Sequence, residues 1–326
     1  MPIHHPERGI IQPFRIRAKC VMRWAFKPAK CPVKADKPLY FCARRTAGGI
    51  YVSVMPTLDW VTDPVTKLRA GYAAERASIA HFSADTVDID QVSFASGTGL
   101  CFTPQDRIEG ADILYFHGGG WIVGSPWTHQ TLCSWMAKLT GRRVFAAPYN
   151  LAPEHKFPAQ ADQAAQIAEQ FAAGRDQIVL AGDSAGGAMV LWAAGGMASR
   201  AKIQGMVSLY GAFGGLEGPS HDAFGANSEG LNDAALRVMY GHLGCEDMAK
   251  FRDRLSKAGA PLLLVKAECD PIADDNDWLA AHIDHPITHL LAKDQLHAFL
   301  QACGNDRPAE EIMAQIADWI RGLVKV

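Results

Sequence analysis

Short apolar runs and helix-like segments alternate along the chain from about residue 86 onward, and this alternation limits the possible folds more than any other feature. Eight runs have the character of strands: TVDIDQVSF, GTGLCFTP, DILYFH, RRVFAAPY, DQIVLAG, GMVSLYG, PLLLVKAEC and ITHLLAK. Helix-like segments such as PAQADQAAQIAEQFAAG separate most of them. Such alternation is typical of a mostly parallel sheet with helices on both faces, so the sequence predicts an α/β fold.

The first 54 residues differ in composition from the rest of the chain. They contain eleven lysines and arginines against only Glu7 and Asp36, together with six prolines, and they show no clear apolar period. The formal charge of this segment is +9, which leaves −11 for residues 55–326 of a chain whose total is −2. The sequence therefore predicts a basic N-terminal extension over residues 1–54, of unassigned role, and one folded domain over residues 55–326.

Composition excludes several classes of protein. The eight cysteines include no C-x-x-C pair, which argues against structural zinc and favours free thiols in a reducing cytoplasm. No apolar run reaches the ~20 residues that span a bilayer, and a net charge of −2 gives no sign of nucleic-acid binding. We therefore expect a cytoplasmic protein with no nucleic-acid partner and no membrane span. Its oligomeric state, monomer or homodimer, stays open.

The segment GDSAGG, residues 182–187, directly follows a buried strand-like run. It places Ser184 in a G-x-S-x-G motif, where the flanking glycines permit a very tight turn between a strand and a helix. Such a turn lifts the serine hydroxyl clear of the carboxyl edge of the sheet, which is where parallel sheets carry their chemistry. Ser184 is the candidate nucleophile; the alternative interpretation is a glycine-rich turn with a capping serine.

A nucleophilic serine needs a base, and the base needs an acid that orients it. Asp270 is the candidate acid because it is the first residue after the buried run PLLLVKAEC. Three further aspartates compete with it: Asp274, Asp275 and Asp277. They lead into a predicted helix, whose first turn favours acidic residues, so we expect them to cap that helix.

His297 is the candidate base. It lies in a predicted loop after the strand-like run ITHLLAK and before the last helix. The competing histidines lie within or beside regular elements: His282, His285 and His289. The order Ser184, Asp270, His297 is the chain order of an α/β-hydrolase triad.

Three consecutive glycines, in the stretch FHGGGW, follow another buried strand-like run. Attack on an ester carbonyl creates an oxyanion, which pre-aimed N–H donors must stabilise. An HGGG loop upstream of the nucleophile is typical of lipase and esterase oxyanion holes. The expected donors are the N–H groups of Gly119, Gly120 and Ala185, with Gly118 as the alternate.

Two neighbours of these glycines have expected roles. We interpret His117 as a hydrogen-bonding brace for the loop rather than a proton shuttle. Trp121 is expected to line the mouth of the substrate pocket, with a purely structural tryptophan as the alternative.

Five motifs occur together in one order: HGGGW, YNLAPEHKFPAQADQA, GDSAGG, CDPIADD and LHAF. In this the chain resembles the hormone-sensitive-lipase-like esterases of the α/β-hydrolase superfamily, from about residue 55 onward. The resemblance implies an α/β-hydrolase fold with a helical cap, formed here by about residues 55–85 and 212–247. It also implies hydrolysis of short- to medium-chain carboxylic esters without metal or cofactor.

Some positions depart from the family pattern. Asn150 stands where arginine is usual, Ala298 where glycine is usual, and DPIADD lacks a central basic residue. Residues 214–230 also match the family poorly. These departures affect the expected pocket and therefore the substrate, but no catalytic group. Two other functions remain open: hydrolysis of a lactone or amide, and a non-catalytic small-molecule receptor on the same fold.

Overall fold

The computed structural model describes residues 42–46, 49–53, 58–226, 231–245, 248–255 and 259–323. Most of the predicted N-terminal extension, 1–54, therefore lies outside the described residues, as do parts of the predicted cap. Within 1–54 the backbone of one antiparallel hairpin is described, which the sequence analysis did not predict.

Ten strands are found in the described residues, and we number them β1 to β10 in chain order. Their bounds are Cys42–Thr46, Gly49–Ser53, Val87–Phe94, Gly97–Pro104, Asp112–Phe116, Val144–Ala147, Ile178–Asp183, Ile203–Leu209, Leu262–Cys269 and Ile287–Leu296. β1 and β2 form the hairpin, and the other eight form one sheet. These eight strands correspond to the eight apolar runs of the sequence, so their prediction is confirmed.

The described α-helices are numbered α1 to α9. Their bounds are Val65–Ile79, Gln130–Thr140, Ala159–Ala172, Ala185–Gly196, Pro219–Phe224, Asp233–Leu243, Met248–Asp253, Ala273–His282 and Arg307–Arg321. Helices α5, α6 and α7 lie between β8 and β9, in a segment that we call the β8–β9 insertion, residues 210–261. Its helices extend beyond residue 247, where the predicted cap ends. No described helix combines the length and apolar character needed to cross a bilayer.

The large sheet has the strand order β10-β9-β8-β7-β5-β6-β4-β3. The six strands from β10 to β6 run parallel, whereas β4 pairs antiparallel with β6 and β3 pairs antiparallel with β4. The predicted mostly parallel sheet is therefore confirmed. Because parallel neighbours end at the same edge, the loops after β5, β7, β9 and β10 are brought close together.

Apolar side chains cover both faces of this sheet. In β5, Leu114 and Phe116 pack with α3 and α4 on one face, while Ile113 and Tyr115 pack with α2 and α9 on the other. All five residues of β5 are buried, as expected for a strand covered on both sides. The resulting three layers form a rigid support for the loops at the carboxyl edge.

The first helix is shorter than predicted. The sequence favours helix from Leu58 to Phe82, but α1 begins at Val65. The reason is local, because the Asp59 carboxylate accepts the N–H of Val61 at 2.9 Å and closes a separate turn. Pro64 then stands directly before the first helical residue, a position that suits its fixed φ.

Candidate active site

Ser184 lies at the sharp turn between β7 and α4, with a φ of 53°. A non-glycine residue rarely adopts this conformation, and its neighbours explain how the turn is possible. A Cβ atom on Gly182 would lie 2.4 Å from the carbonyl oxygen of Gly186, and one on Gly186 would lie 2.0 Å from that of Phe116. Both glycines of the motif are therefore required by close backbone approach.

The structure brings the three candidate residues Ser184, Asp270 and His297 into one hydrogen-bonded chain. Asp270 directly follows β9 and His297 directly follows β10, and these two strands are neighbours. The Nδ1–H of His297 donates to Oδ2 of Asp270 at 2.7 Å. The Nε2 atom of His297 lies 2.9 Å from Oγ of Ser184, at which distance it accepts the hydroxyl proton. The arrangement can withdraw a proton from Ser184 and stabilise the resulting imidazolium.

The competing histidines and aspartates take no part in these hydrogen bonds. His289 is an exposed residue of β10, and Nδ1–H of His282 donates to the carbonyl of Trp278 in its own helix. The expectation that Asp274, Asp275 and Asp277 cap their own helix is wrong. The N-cap residue Ile272 makes no side-chain cap, and the Ser220 hydroxyl of α5 accepts the N–H of Asp274 at 3.2 Å instead.

These three aspartates contact other elements instead. Asp274 accepts the N–H of Ser220 at 2.8 Å, at the start of α5. Asp275 is buried and accepts the N–H of Phe213 at 2.6 Å. Asp277 forms an exposed ion pair with Lys266. Two of the three therefore bind the β8–β9 insertion, because α8 lies directly beside it.

The glycine loop after β5 approaches other groups closely. Gly119 and Gly120 have φ values of 113° and 58°, in the left-handed region that favours glycine. Neither position has room for a Cβ atom. On Gly119 it would lie 2.4 Å from the carbonyl oxygen of Val123, and on Gly120 it would lie 2.4 Å from Sδ of Met239. Met239 belongs to α6, so the β8–β9 insertion packs directly on this loop.

Among the described residues, no hydrogen bond uses the N–H of Gly119 or Gly120. The N–H of Gly118, in contrast, donates to Oδ1 of Asp183 at 2.8 Å. Gly118 was the alternate oxyanion donor, and its N–H is already engaged. Gly119 and Gly120 therefore remain the better candidates, together with Ala185 at the first position of α4.

His117 is buried and makes the contacts of a brace. Its Nδ1–H donates to the carbonyl of Gly118 at 2.8 Å, and its ring stacks on Tyr149 with centroids 4.2 Å apart. The Tyr149 hydroxyl also donates to the carbonyl of His117. Burial, and then the neighbouring His129, lower the pKa of His117 to about 3. A ring that stays neutral near pH 7 fits a structural role.

Trp121 does not line the mouth of a pocket. Its side chain is 1% exposed and packs against Trp192, Tyr240 and Phe251. The expectation for this residue is therefore corrected to its structural alternative, since the aromatic cluster joins the glycine loop to α6 and α7.

A buried polar cluster beside Ser184 was not predicted from the sequence. Asp183, the residue before Ser184, accepts the Tyr115 hydroxyl at 2.7 Å in addition to the N–H of Gly118. Its Oδ2 lies 3.3 Å from His129 Nε2 and 3.3 Å from the amide nitrogen of Gln301. Asp183 thus ties together the loops after β5, β7 and β10. The available signal was a charged residue at the end of an otherwise apolar run.

The Asp183 carboxyl is ionised despite its burial. Burial by itself raises its pKa, but the adjacent His129 and the hydrogen bonds from His129, Tyr115 and Gly118 outweigh that effect. The pKa consequently lies well below its ordinary value. A charged carboxylate accepts stronger hydrogen bonds than a neutral one, which fits an anchoring role.

Comparison with known proteins gives one family. Residues 113–301 match a family described as having the alpha/beta hydrolase fold. The chain is 30% identical over 237 residues to ethyl acetate hydrolase of Pseudomonas putida, covering 67% of this chain and 73% of that protein. The family match at residues 113–301 includes Ser184, Asp270 and His297.

Solved structures show the same fold. An esterase of Pyrobaculum calidifontis superposes with a TM-score of 0.72 at 23% identity, covering 82% of this chain and 95% of that one. An esterase from the bacterial hormone-sensitive lipase family gives 0.71 at 22% identity, covering 81% and 93%. Together with the family match and the order of the motifs, this means that the chain belongs to the hormone-sensitive-lipase-like esterase family of the α/β-hydrolase superfamily.

Proposed function

We propose that this chain is a carboxylesterase that hydrolyses short- to medium-chain esters through an acyl-enzyme on Ser184. The observation that carries the proposal is the continuous chain of hydrogen bonds from Ser184 through His297 to Asp270. Two of these side chains follow neighbouring strands, and the third occupies a turn of fixed, rarely adopted geometry. Such a preformed geometry suits catalysis, because no group must be reoriented when substrate binds.

In the first half of the reaction, Ser184 Oγ attacks the ester carbonyl carbon while His297 Nε2 takes its proton. Asp270 holds the imidazole and stabilises its charged form. The N–H groups of Gly119, Gly120 and Ala185 bind the negative oxygen of the tetrahedral intermediate. His297 then returns the proton to the departing alkoxide oxygen, which leaves as the alcohol.

In the second half, a water molecule attacks the acyl-enzyme and His297 takes a proton from it. The tetrahedral intermediate collapses, Ser184 regains its proton from His297, and the carboxylic acid departs. Both halves use the same base and the same oxyanion donors, so one set of residues serves two chemical steps.

The likeness to ethyl acetate hydrolase supports a short acyl group as substrate. The packing of α6 on the glycine loop supports it too, because Met239 lies against Gly120 and leaves little space on that side. We therefore expect acetyl and butyryl esters to be hydrolysed faster than emulsified long-chain triglycerides.

The test compares purified wild-type chain with Ser184→Ala and with the control Ser96→Ala, whose hydroxyl donates to the carbonyl of Pro148. Substrates are p-nitrophenyl acetate and butyrate, ethyl acetate, a triglyceride emulsion and a matched p-nitroanilide. We expect wild type and Ser96→Ala to hydrolyse the short esters and Ser184→Ala to lose roughly 10⁴-fold or more in kcat. Faster turnover of the anilide or the emulsion contradicts the proposed substrate class, and ester hydrolysis by Ser184→Ala at a rate near that of wild type contradicts the nucleophile.

A further inference from the structure

The main chain of Ser184 is held on both sides by the segment that leaves β8. Its N–H donates to the carbonyl of Leu209 at 2.8 Å, and its carbonyl accepts the N–H of Ala212 at 3.0 Å. Because Ser184 has a φ of 53°, its conformation depends on such neighbours to maintain it. Residues 209–212 therefore form the backbone support of the nucleophile.

The next three residues, 213–215, form a turn that is fixed by three different helices. Oδ2 of Asp275, in α8, accepts the N–H of Phe213 at 2.6 Å, and the Tyr240 hydroxyl, in α6, accepts the N–H of Gly214 at 2.9 Å. Arg252 of α7 donates to the carbonyl of Phe213 at 3.1 Å. The turn directly follows Ala212, so its position and that of the nucleophile are linked through the backbone.

Of the three side chains that bind the turn, Asp275 makes the shortest hydrogen bond. A Cβ atom on Gly215 would lie 2.1 Å from Oδ1 of Asp275, so only glycine fits there. Asp275 is 2% exposed, and burial raises its pKa to about 7 in spite of the Phe213 N–H and the nearby Arg252. Burying a carboxyl group is unfavourable, and this one does not cap its own helix. Its binding partner is the turn beside Ser184.

We propose that Asp275 is a positioning residue for the reaction, which holds the 213–215 turn in place and through it the backbone of Ser184. Asp275 and the triad acid Asp270 belong to one short loop and helix start, so the same element orients His297 and supports Ser184. The inference rests on the proposed function, since it assumes that Ser184 is the nucleophile. Asp275 contacts no reacting atom and acts only through residues 212–215.

The experiment measures kcat, KM and the rate of labelling by a small phosphonate for wild type, Asp275→Ala, Asp275→Asn and the control Asp277→Ala. Asp277 lies in the same helix but forms only a surface ion pair. We expect Asp275→Ala to lower kcat and the labelling rate in parallel, by about 10-fold or more, with KM within a few-fold of wild type. Asp275→Asn should recover much of the loss, because its amide oxygen can still accept the Phe213 N–H.

A second variant approaches the same contact from the other side and covers the case in which Asp275→Ala does not fold. Gly215→Ala places a methyl group against Asp275 and should lower kcat without a large change in KM, whereas Gly241→Ala, which has open space around it, should not. Unchanged kcat and labelling in folded Asp275→Ala, or in folded Gly215→Ala where Asp275→Ala does not fold, overturn the inference. An equal loss in Asp277→Ala also overturns it. Ester hydrolysis by Ser184→Ala at a rate near that of wild type instead contradicts the proposed function on which the inference rests.

Discussion

Two buried aspartate–histidine pairs lie at the carboxyl edge of the sheet, and they differ in their third partner. His297 is 2.7 Å from Asp270 and faces a serine hydroxyl, with its side chain still 8% exposed. His129 is 3.3 Å from Asp183, with its side chain fully enclosed. The first pair contacts the Ser184 hydroxyl, whereas the second is enclosed by Tyr115, Gly118 and Gln301.

A buried carboxylate–imidazole pair does not by itself indicate catalysis. Asp183 accepts two hydrogen bonds at one oxygen, from the Tyr115 hydroxyl and from the N–H of Gly118. Both donors are structural parts of β5 and the glycine loop. Asp270 uses one oxygen for His297 and the other for the N–H of Ile272. We therefore expect the Asp270–His297 pair to act in the chemistry and the Asp183–His129 pair to hold the glycine loop in place.

Replacing the two histidines should separate the roles of the two pairs most clearly. His297→Ala removes the base, so kcat for p-nitrophenyl acetate should fall by roughly 10⁴-fold or more. His129→Asn should lower kcat by about 10-fold at most, because it disturbs only the support of the glycine loop. Steady-state kinetics on folded protein, checked by circular dichroism, measure both effects. Equal losses in the two variants contradict the division of roles.

Gly118→Ala should have the next largest effect. The added methyl group would lie 2.7 Å from Oδ2 of Asp183, so the loop must move away from its anchor. We expect kcat to fall by about 10- to 100-fold, since the proposed donors Gly119 and Gly120 move with it. The matched control is again Gly241→Ala, in α6. If Gly118→Ala keeps wild-type kcat, Asp183 does not position the loop.

The last prediction concerns stability rather than kcat, and it tests His117, which braces the glycine loop. Its pKa is about 3 in the folded chain and close to the ordinary 6.5 when unfolded, so the folded state binds fewer protons between these values. Stability should therefore fall as pH drops below 6.5, by up to about 1.4 kcal/mol per pH unit from this residue. His117→Gln should lack that contribution.

Urea unfolding of wild type and His117→Gln at pH 7.5, 6, 5 and 4.5 measures the difference. The free energy of unfolding of wild type should decrease more steeply on acidification than that of the variant. If the free energies of unfolding of the two proteins fall in parallel with pH, His117 is not held neutral by burial.

The centre of the sheet could be predicted from the sequence because its strands are apolar over most of their length. Strands such as β5 and β7, buried on both faces, give continuous apolar runs that stand out from the helices between them. The meeting of Asp270 and His297 could be predicted for a related reason, since the two residues directly follow the strands β9 and β10. In both cases a local pattern carries the information.

Contacts between distant segments could not be predicted in the same way. Asp275 stands in the first turn of α8, where local chemistry favours capping, yet it binds Phe213, 62 residues away. Trp121 follows three glycines, which suggests an open loop, but α6 and α7 cover it. Asp183 looks like one variable position of a motif until Gly118 and Tyr115 are placed beside it. Each error arose where tertiary packing overrides local preference.

The central claim is that Ser184 is the nucleophile activated by the Asp270–His297 pair. Labelling with a p-nitrophenyl phosphonate, followed by intact-mass analysis and peptide mapping, tests this claim most directly. We predict one label per chain, located on Ser184, at a rate that falls sharply in His297→Ala but little in His129→Asn. A label on another serine, or undiminished labelling of His297→Ala, would contradict the account.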